Sequence, residues 1–224
     1  LPKGRGRAPI AWLVLEESDG AATFFLLNSG VDDGEIIEQV NFSFTEGDNA
    51  TIITQKCLEA EKIALDKLLK KIKNSGIKTF EQDTKEATWF GKRTPEDGLI
   101  NWCESAIYID KLVRASTEPH PGAFTFHEKE KIYIWETKKI FIPIKGVIGR
   151  ILDVENNMSF KVQTGNGLIE IQKWSANKWR PKVGMKLGYS SEIEIYKLNA
   201  EIVRLKSLLN KLEFKLSNLE ENTS

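Results

Sequence analysis

Residues 150–175 read RILDVENNMSFKVQTGNGLIEIQKWS. Apolar and polar side chains alternate through ILDV, FKV and LIEI. The interruptions are Asn156-Asn157 and Gly165-Asn166-Gly167, residue types suited to the backbone of tight turns. Upstream, FTF at 124–126, KIYIWE at 131–136, IFIPI at 140–144 and GVIGRILDV at 146–154 continue the pattern. Short strands at such intervals predict a small antiparallel barrel of about 65 residues over 124–189.

Downstream of the strands the period changes. Ile195, Leu198, Ile202, Leu205, Leu209, Leu212, Leu216 and Leu219 follow one another at alternating steps of three and four. That spacing predicts a coiled-coil helix over 190–224, roughly 37 Å along its seam. Leucine at every second seam position favours two parallel strands, with Glu201 facing Lys206 and Lys215 facing Glu220 across partners. The competing reading is a helix folded back on its own domain, but so narrow a stripe suits a globular core poorly.

Upstream of the strands the pattern is mixed α/β. LPKGRGRAP at 1–9 is a Gly/Pro/Arg-rich loop whose glycines would let backbone donors approach an anion, although it lacks the Gly-Lys-Ser/Thr ending of a phosphate-binding Walker loop. Ile10–Leu15 reads as helix, Ala22–Leu27 as strand, and GVDDGEIIEQV at 30–40 as a turn leading into a second strand bearing Ile36, Ile37 and Val40. A long helix is predicted over 49–74, capped by Asn49, carrying Ile52, Ile53, Leu58, Ile63, Leu65, Leu68, Leu69 and Ile72, and stopped at Gly76. Residues 77–101 read as irregular, Glu104–Ala115 as a short helix, and PHPGAF as a proline-stiffened turn.

The balance of 32 basic and 32 acidic residues excludes a chain that is basic overall. Its distribution is uneven: residues 1–130 hold 16 basic and 22 acidic side chains, residues 131–189 hold 11 and 4, and residues 190–224 hold 5 and 6. A polyanion would meet the middle segment, through Lys138, Lys139, Lys145, Arg150, Lys173, Lys178, Arg180, Lys182 and Lys186. Cys57 and Cys103 are too few for a structural zinc site, no metal site is expected, and Cys57 reads as a small buried hydrophobe. No apolar run reaches the ~20 residues of a membrane span and no signal peptide is visible, so a cytoplasmic protein is expected.

Spacing alone yields no Ser-His-Asp, Cys-His or paired-carboxylate constellation. His120 sits between two prolines and His127 follows a strand, places where a turn or surface histidine is commoner than a catalytic one. Asp32 and Asp33 stand in a turn after an apolar strand, where a carboxylate either projects into a cleft or is simply solvated.

Several blocks together resemble the folate-dependent formyltransferases of the methionyl-tRNA formyltransferase family. LPKGRGRAPI is similar to that family's loop after the catalytic strand, with Gly4 at a place usually held by tyrosine. GVDDGEIIEQ resembles its G-x-D-x-G segment, and ATWFGKRTPEDGLINW, the following helix and PHPGAFTF resemble its next blocks, nearest to the nucleotide-sugar members of the UDP-4-amino-4-deoxy-L-arabinose type. GNGLIEI is similar to a segment of the family's C-terminal open barrel. The resemblance runs from residue 1 to about 189 and excludes the coiled coil.

The resemblance implies an α/β fold in which residues 1–123 would be the C-terminal part of a Rossmann-like catalytic domain with its linker and 124–189 an open, OB-like barrel. Residues 190–224, outside the resemblance, are expected from their spacing to be the coiled-coil helix of a homodimer. It implies 10-formyltetrahydrofolate as formyl donor and Asp32 as the catalytic carboxylate, with Val31, Asp32 and Gly34 lying against the pterin. Arg93, Trp102 and Arg114 are candidates for substrate contact, Trp102 equally for the interdomain core. Formyl transfer to an amine passes through a tetrahedral intermediate, so an oxyanion must be stabilised and a proton removed from the attacking nitrogen. Relatives use an Asn-x-His pair just before the Leu-Pro, with the aspartate beside the imidazole. This sequence holds neither residue of the pair, so the missing strands are expected upstream of Leu1 and the 224 residues alone are not expected to catalyse efficiently. The amine of a nucleotide-linked sugar is the first substrate reading and methionyl-tRNA on the basic barrel the second. A noncatalytic dimerisation module is the third.

Overall fold

The computed structural model describes residues 1–74, 76–188 and 191–221, which form two compact units, Leu1–Gly188 and Tyr189–Ser224. In the first unit, β1 (Arg5–Gly6) is followed by α1 (Pro9–Glu16), β2 (Gly20–Phe25), β3 (Ile36–Phe42) and the long α2 (Ala50–Asn74). Proline at its first position suits α1, because that backbone N–H has no helical partner anyway. Asn49 caps α2 as its sequence suggests, its Oδ1 accepting from the Ile52 N–H at 3.0 Å. After β4 (Trp89–Phe90) come α3 (Ala106–Ser116), capped by Ser105, and the strands β5 (Ala123–His127), β6 (Glu130–Ile140), β7 (Ile151–Val154), β8 (Phe160–Gln163) and β9 (Leu168–Ser175).

The strands make three sheets. β1 pairs with β4 in parallel, β2 with β3 antiparallel, and the last five form one antiparallel sheet in the order β5-β6-β9-β8-β7. Its outer strands β5 and β7 do not pair with each other among the described residues, so the sheet stays open. Alternation places Ile132 and Ile134 of β6, Ile169 and Ile171 of β9, and Phe160 and Val162 of β8 on a single buried face. Helix α3 closes that core with Ile109, Leu112 and Val113.

Three sequence expectations need correction. Residues 141–149, expected as parts of two strands, form no strand. Pro143 has no N–H to give a ladder and Gly149 adopts a positive φ of 78°, so pairing lapses and Phe141, Ile142 and Val147 are left exposed. Cys57 is only half-buried, and its thiol lies 3.8 Å from the Glu61 carboxylate; burial, then the Glu61 charge, pushes that thiol above its ordinary pKa.

The face of α2 that meets β2 and β3 also differs from the apolar set read in the sequence. Ala50, Ile53, Ala60 and Ala64 are buried, whereas Leu58, Leu65, Leu69 and Ile72 are exposed. Small side chains let the helix approach the hairpin closely. The larger ones, turned about a third of a revolution away, stay on its flank.

The second unit is the helix α4 (Ser191–Glu221), 31 residues long. Its side chains are described for residues 194–213. The seam positions Leu216 and Leu219 and the flanking Lys215 and Glu220 lie outside the described side chains.

Candidate active site

The Asp32 turn is built by contacts that are remote in sequence. Strand β2 ends at Phe25, the chain turns through Gly30–Gly34, and the Leu26 N–H donates to the Glu35 carbonyl at 2.9 Å as β3 begins. A Cβ at Gly34 would collide with the Leu26 carbonyl, so the position admits only glycine without movement of the turn. Asp32 has a left-handed backbone, φ 51°, which aspartate tolerates better than most residues. That twist aims its half-buried carboxylate at the loop before α1, where Oδ2 accepts the Gly6 N–H at 2.8 Å.

Of the loop's backbone donors, the Gly6 N–H thus meets an anion, a carboxylate of its own chain. Gly6 has a φ of 107°, and a Cβ there would stand 2.5 Å from the Phe90 carbonyl. This closeness lets residues 4–7 run beside 88–90. The Gly4 N–H donates to Thr88 Oγ1 at 2.9 Å, the Arg5 N–H to the Thr88 carbonyl at 2.9 Å, and the Arg7 N–H to the Phe90 carbonyl at 3.2 Å.

Beneath the turn lies Gln82, which the sequence did not single out. Its Nε2 donates to the carbonyls of Asp32 at 3.0 Å and Gly34 at 2.6 Å, while its Oε1 accepts from Arg5 Nη2 at 2.8 Å and Nε at 3.3 Å. Arg5 is 4% and Gln82 9% exposed, so these are bonds shielded from water. No local motif betrays Gln82, because its partners lie 48 to 77 positions away. The same turn buries Asp33 Oδ1 without a donor, and Val31 stands exposed at its tip.

Arg93 is joined to this neighbourhood by rings. Phe90 covers Gly4 and stacks on Trp12 with centroids 5.7 Å apart, and the Arg93 guanidinium lies 5.6 Å from the Trp12 ring, with Nη2 donating to the Asp97 carbonyl at 3.1 Å. His120 is close enough to feel that charge. Burial first, and then Arg93, holds its imidazole below the ordinary value, and its Nε2 is buried without a partner. Among the described residues no histidine hydrogen-bonds to Asp32, and no group of three or more His, Cys, Asp and Glu could hold a metal.

The other two substrate candidates are committed elsewhere. Trp102 is 4% exposed within the sheet core, its indole N–H donating to the buried Thr125 Oγ1 at 2.9 Å. Arg114 has all three nitrogens engaged: Nε with Asp110 at 3.0 Å, Nη1 with the Asp48 carbonyl at 2.7 Å and Nη2 with Glu17 at 2.7 Å. It ties the end of α1 and the start of α2 to α3. Burial opposes the charge on Glu17, but hydrogen bonds from Lys111 and Arg114 outweigh it and hold the carboxyl below the usual range.

Several cations of the basic segment are likewise engaged. Lys139 lies 3.6 Å from Asp110 and Lys173 3.3 Å from Glu136, while Lys161 bridges Asp153 and Glu155 and is held strongly protonated by them. Trp179 is buried against Phe160 and Trp174.

Residues 92–181 match the family described as Formyl transferase, C-terminal domain. Among solved structures, a variant of HypX from Aquifex aeolicus is similar at 18% identity and a TM-score of 0.63, over 78% of this chain and 31% of that one. The N-formyltransferase from Helicobacter canadensis, in complex with folinic acid and dTDP-3-aminofucose, is similar at 20% identity and a TM-score of 0.60, over 77% of this chain and 63% of that one. Methionyl-tRNA formyltransferase from Clostridium thermocellum is similar at 21% and 0.51, over 62% of this chain and 60% of that one. The chain thus spans less than two thirds of the length of these proteins. At such identities the likeness is one of fold: the mixed α/β architecture is that of the C-terminal region of formyltransferases, with the formyl transferase C-terminal domain matched over residues 92–181.

Proposed function

We propose that this chain serves the transfer of a formyl group from 10-formyltetrahydrofolate to the amine of a nucleotide-linked amino sugar. The observation that carries the reading is the Asp32 carboxylate, fixed by the Gly6 N–H on a turn clamped from below by Gln82, in a chain whose residues 92–181 match a formyl transferase domain. The folate and amino-sugar ligands of the Helicobacter canadensis enzyme support the donor and the substrate class. Residues 124–189 take the part of the open OB-like domain. The free thiols Cys57 and Cys103 suit a reducing compartment, the cytoplasm.

The residues fit a pterin. The turn is kept thin by Gly34, offers the exposed side chain of Val31 for a ring to lie on, and buries an acceptor, Asp33 Oδ1, that lacks a donor. When bound, the folate supplies the formyl carbon. Asp32, its orientation held by Gly6, stands to orient the imidazole that relatives carry just before the Leu-Pro and to help take the proton shed by the attacking amine; with that upstream segment restored, its loss is expected to lower the rate ~10²-fold or more. Arg93, resting on Trp12, presents positive charge suited to a diphosphate. Trp102 and Arg114 act on packing and ion pairing.

Equilibrium titration of the chain with folinic acid, followed by tryptophan fluorescence, tests the donor half of the proposal. Saturable binding is expected, weakened at least about tenfold in Gly34→Ala because the turn must open. Absence of binding even with the upstream Asn-x-His segment restored would sink the reading in favour of a noncatalytic module. For the second half, a UDP- or dTDP-amino sugar is expected to bind with little dependence on salt. Binding of methionyl-tRNA alone, falling steeply from 50 to 200 mM salt, would replace the sugar by tRNA.

A further inference from the structure

We infer that α4 binds a second copy of this chain as a parallel, in-register two-stranded coiled coil. The inference is independent of the reaction proposed above.

Six seam residues, Ile195, Leu198, Ile202, Leu205, Leu209 and Leu212, are 47–59% exposed, and none of the described side chains of α4 is buried. A helix standing alone in water is marginal and normally draws its stability from an apolar face packed on something. This face is narrow and repeats strictly every seven residues. Only a surface with the same repeat can follow it along its length, which another copy supplies by construction.

The flanks choose the arrangement. In a parallel pair Glu201 of one helix faces Lys206 of the other, twice by symmetry, and the sequence repeats the relation with Lys215 and Glu220. Glu201 is also 3.7 Å from Arg204 on its own helix and Lys197 is 3.3 Å from Glu194, exposed pairs that leave the seam free. An antiparallel pair with aligned ends would bring Lys206 against Lys206. Isoleucine at the first two inner positions with leucine at every position of the other set selects two strands rather than three or four.

Sedimentation equilibrium of the whole chain is expected to give twice the 25.4 kDa chain mass at 10–100 μM, a range chosen for ~micromolar association. Leu205→Asp with Leu212→Asp is expected to give monomers with unchanged near-ultraviolet circular dichroism from residues 1–188. A monomeric parent, a trimeric mass, or a dimer that survives the double substitution would overturn the inference. Orientation has its own test. With Cys57 and Cys103 changed to serine, Leu198→Cys is expected to cross-link to its own counterpart on oxidation, and a dimer that fails to do so is not parallel. Glu201→Lys is expected to weaken the dimer about tenfold, and Lys206→Glu added to it to restore affinity; no rescue would remove the proposed flank pairing.

Discussion

Residues 92–188 and residues 1–90 both set helices against strands, yet they are held together by different means. The first has sixteen buried residues in one cluster, from Ile100 to Leu187, with Phe160, Ile132, Ile134, Ile169 and Ile171 wholly inaccessible. In the second, the buried Ala11, Val14 and Ile53 form with Ala115 of α3 a smaller cluster, flanked by partly buried Ile10, Leu13, Leu15, Phe42 and Phe44, and α2 keeps Leu58, Leu65, Leu69 and Ile72 in water. What the early region lacks in packed hydrocarbon it replaces by polar clamps, the buried pair Arg5 and Gln82 and the half-buried Arg114 of α3, which holds Glu17 and the Asp48 carbonyl. The contrast teaches that the carboxylate proposed for chemistry rests on directional bonds. Such bonds fix a geometry well and stabilise a fold only modestly.

Substitutions can break or sharpen that contrast. Phe160→Ala is expected to have the largest effect, about 3–5 kcal/mol in urea unfolding, because it empties a site packed by Trp174 and Trp179. A loss below ~1 kcal/mol would show that the sheet core is not the stronger half. Gln82→Leu comes next, about 1–3 kcal/mol, since it leaves the guanidinium of Arg5 and the carbonyls of Asp32 and Gly34 without their partner. Its sharper signature is lost folinic acid binding at a temperature where the protein remains folded.

Acid should act through the clamps and His120. A folded imidazole held below its ordinary value means that the unfolded chain takes the proton first. Stability is therefore intact above about pH 6.5 and declines as the pH falls from there toward the lower folded value. His120→Gln should remove that part of the decline in unfolding curves measured from pH 7.5 to 5. A second decline at lower pH belongs to Glu17, whose depressed carboxyl contributes stability that is lost as it is protonated. The smallest effect is expected from Leu65→Ser on the flank of α2, within about 0.5 kcal/mol, read by the same unfolding experiment. A loss of 2 kcal/mol or more would mean that this flank is covered in solution.

Much of this was legible in the chain. The alternation in residues 150–175, the Asn49 cap, the turn at GVDDG and the seven-residue repeat of α4 depend on neighbours within a few positions, where steric preference and periodicity act directly. The resemblance of LPKGRGRAPI and GVDDGEIIEQ names Asp32, the carboxylate proposed above for catalysis. The strand expectation failed at 141–149, where composition was apolar enough but Pro143 and the glycines could not sustain a ladder.

Only the tertiary structure decided which apolar residues of α2 are buried, that Trp102 belongs to the sheet core, that every nitrogen of Arg114 is engaged, and that Gln82 holds the Asp32 turn. Each of these depends on where a distant segment returns. The bonds of Gln82 to Arg5 and Asp32 span 77 and 50 positions, and nothing in the local spacing of any of the three encodes that meeting. Amino-acid order determined the elements and the residue types able to do chemistry. Packing determined which of those residues were left free to do it, because a side chain's role is set by the partners that surround it in space.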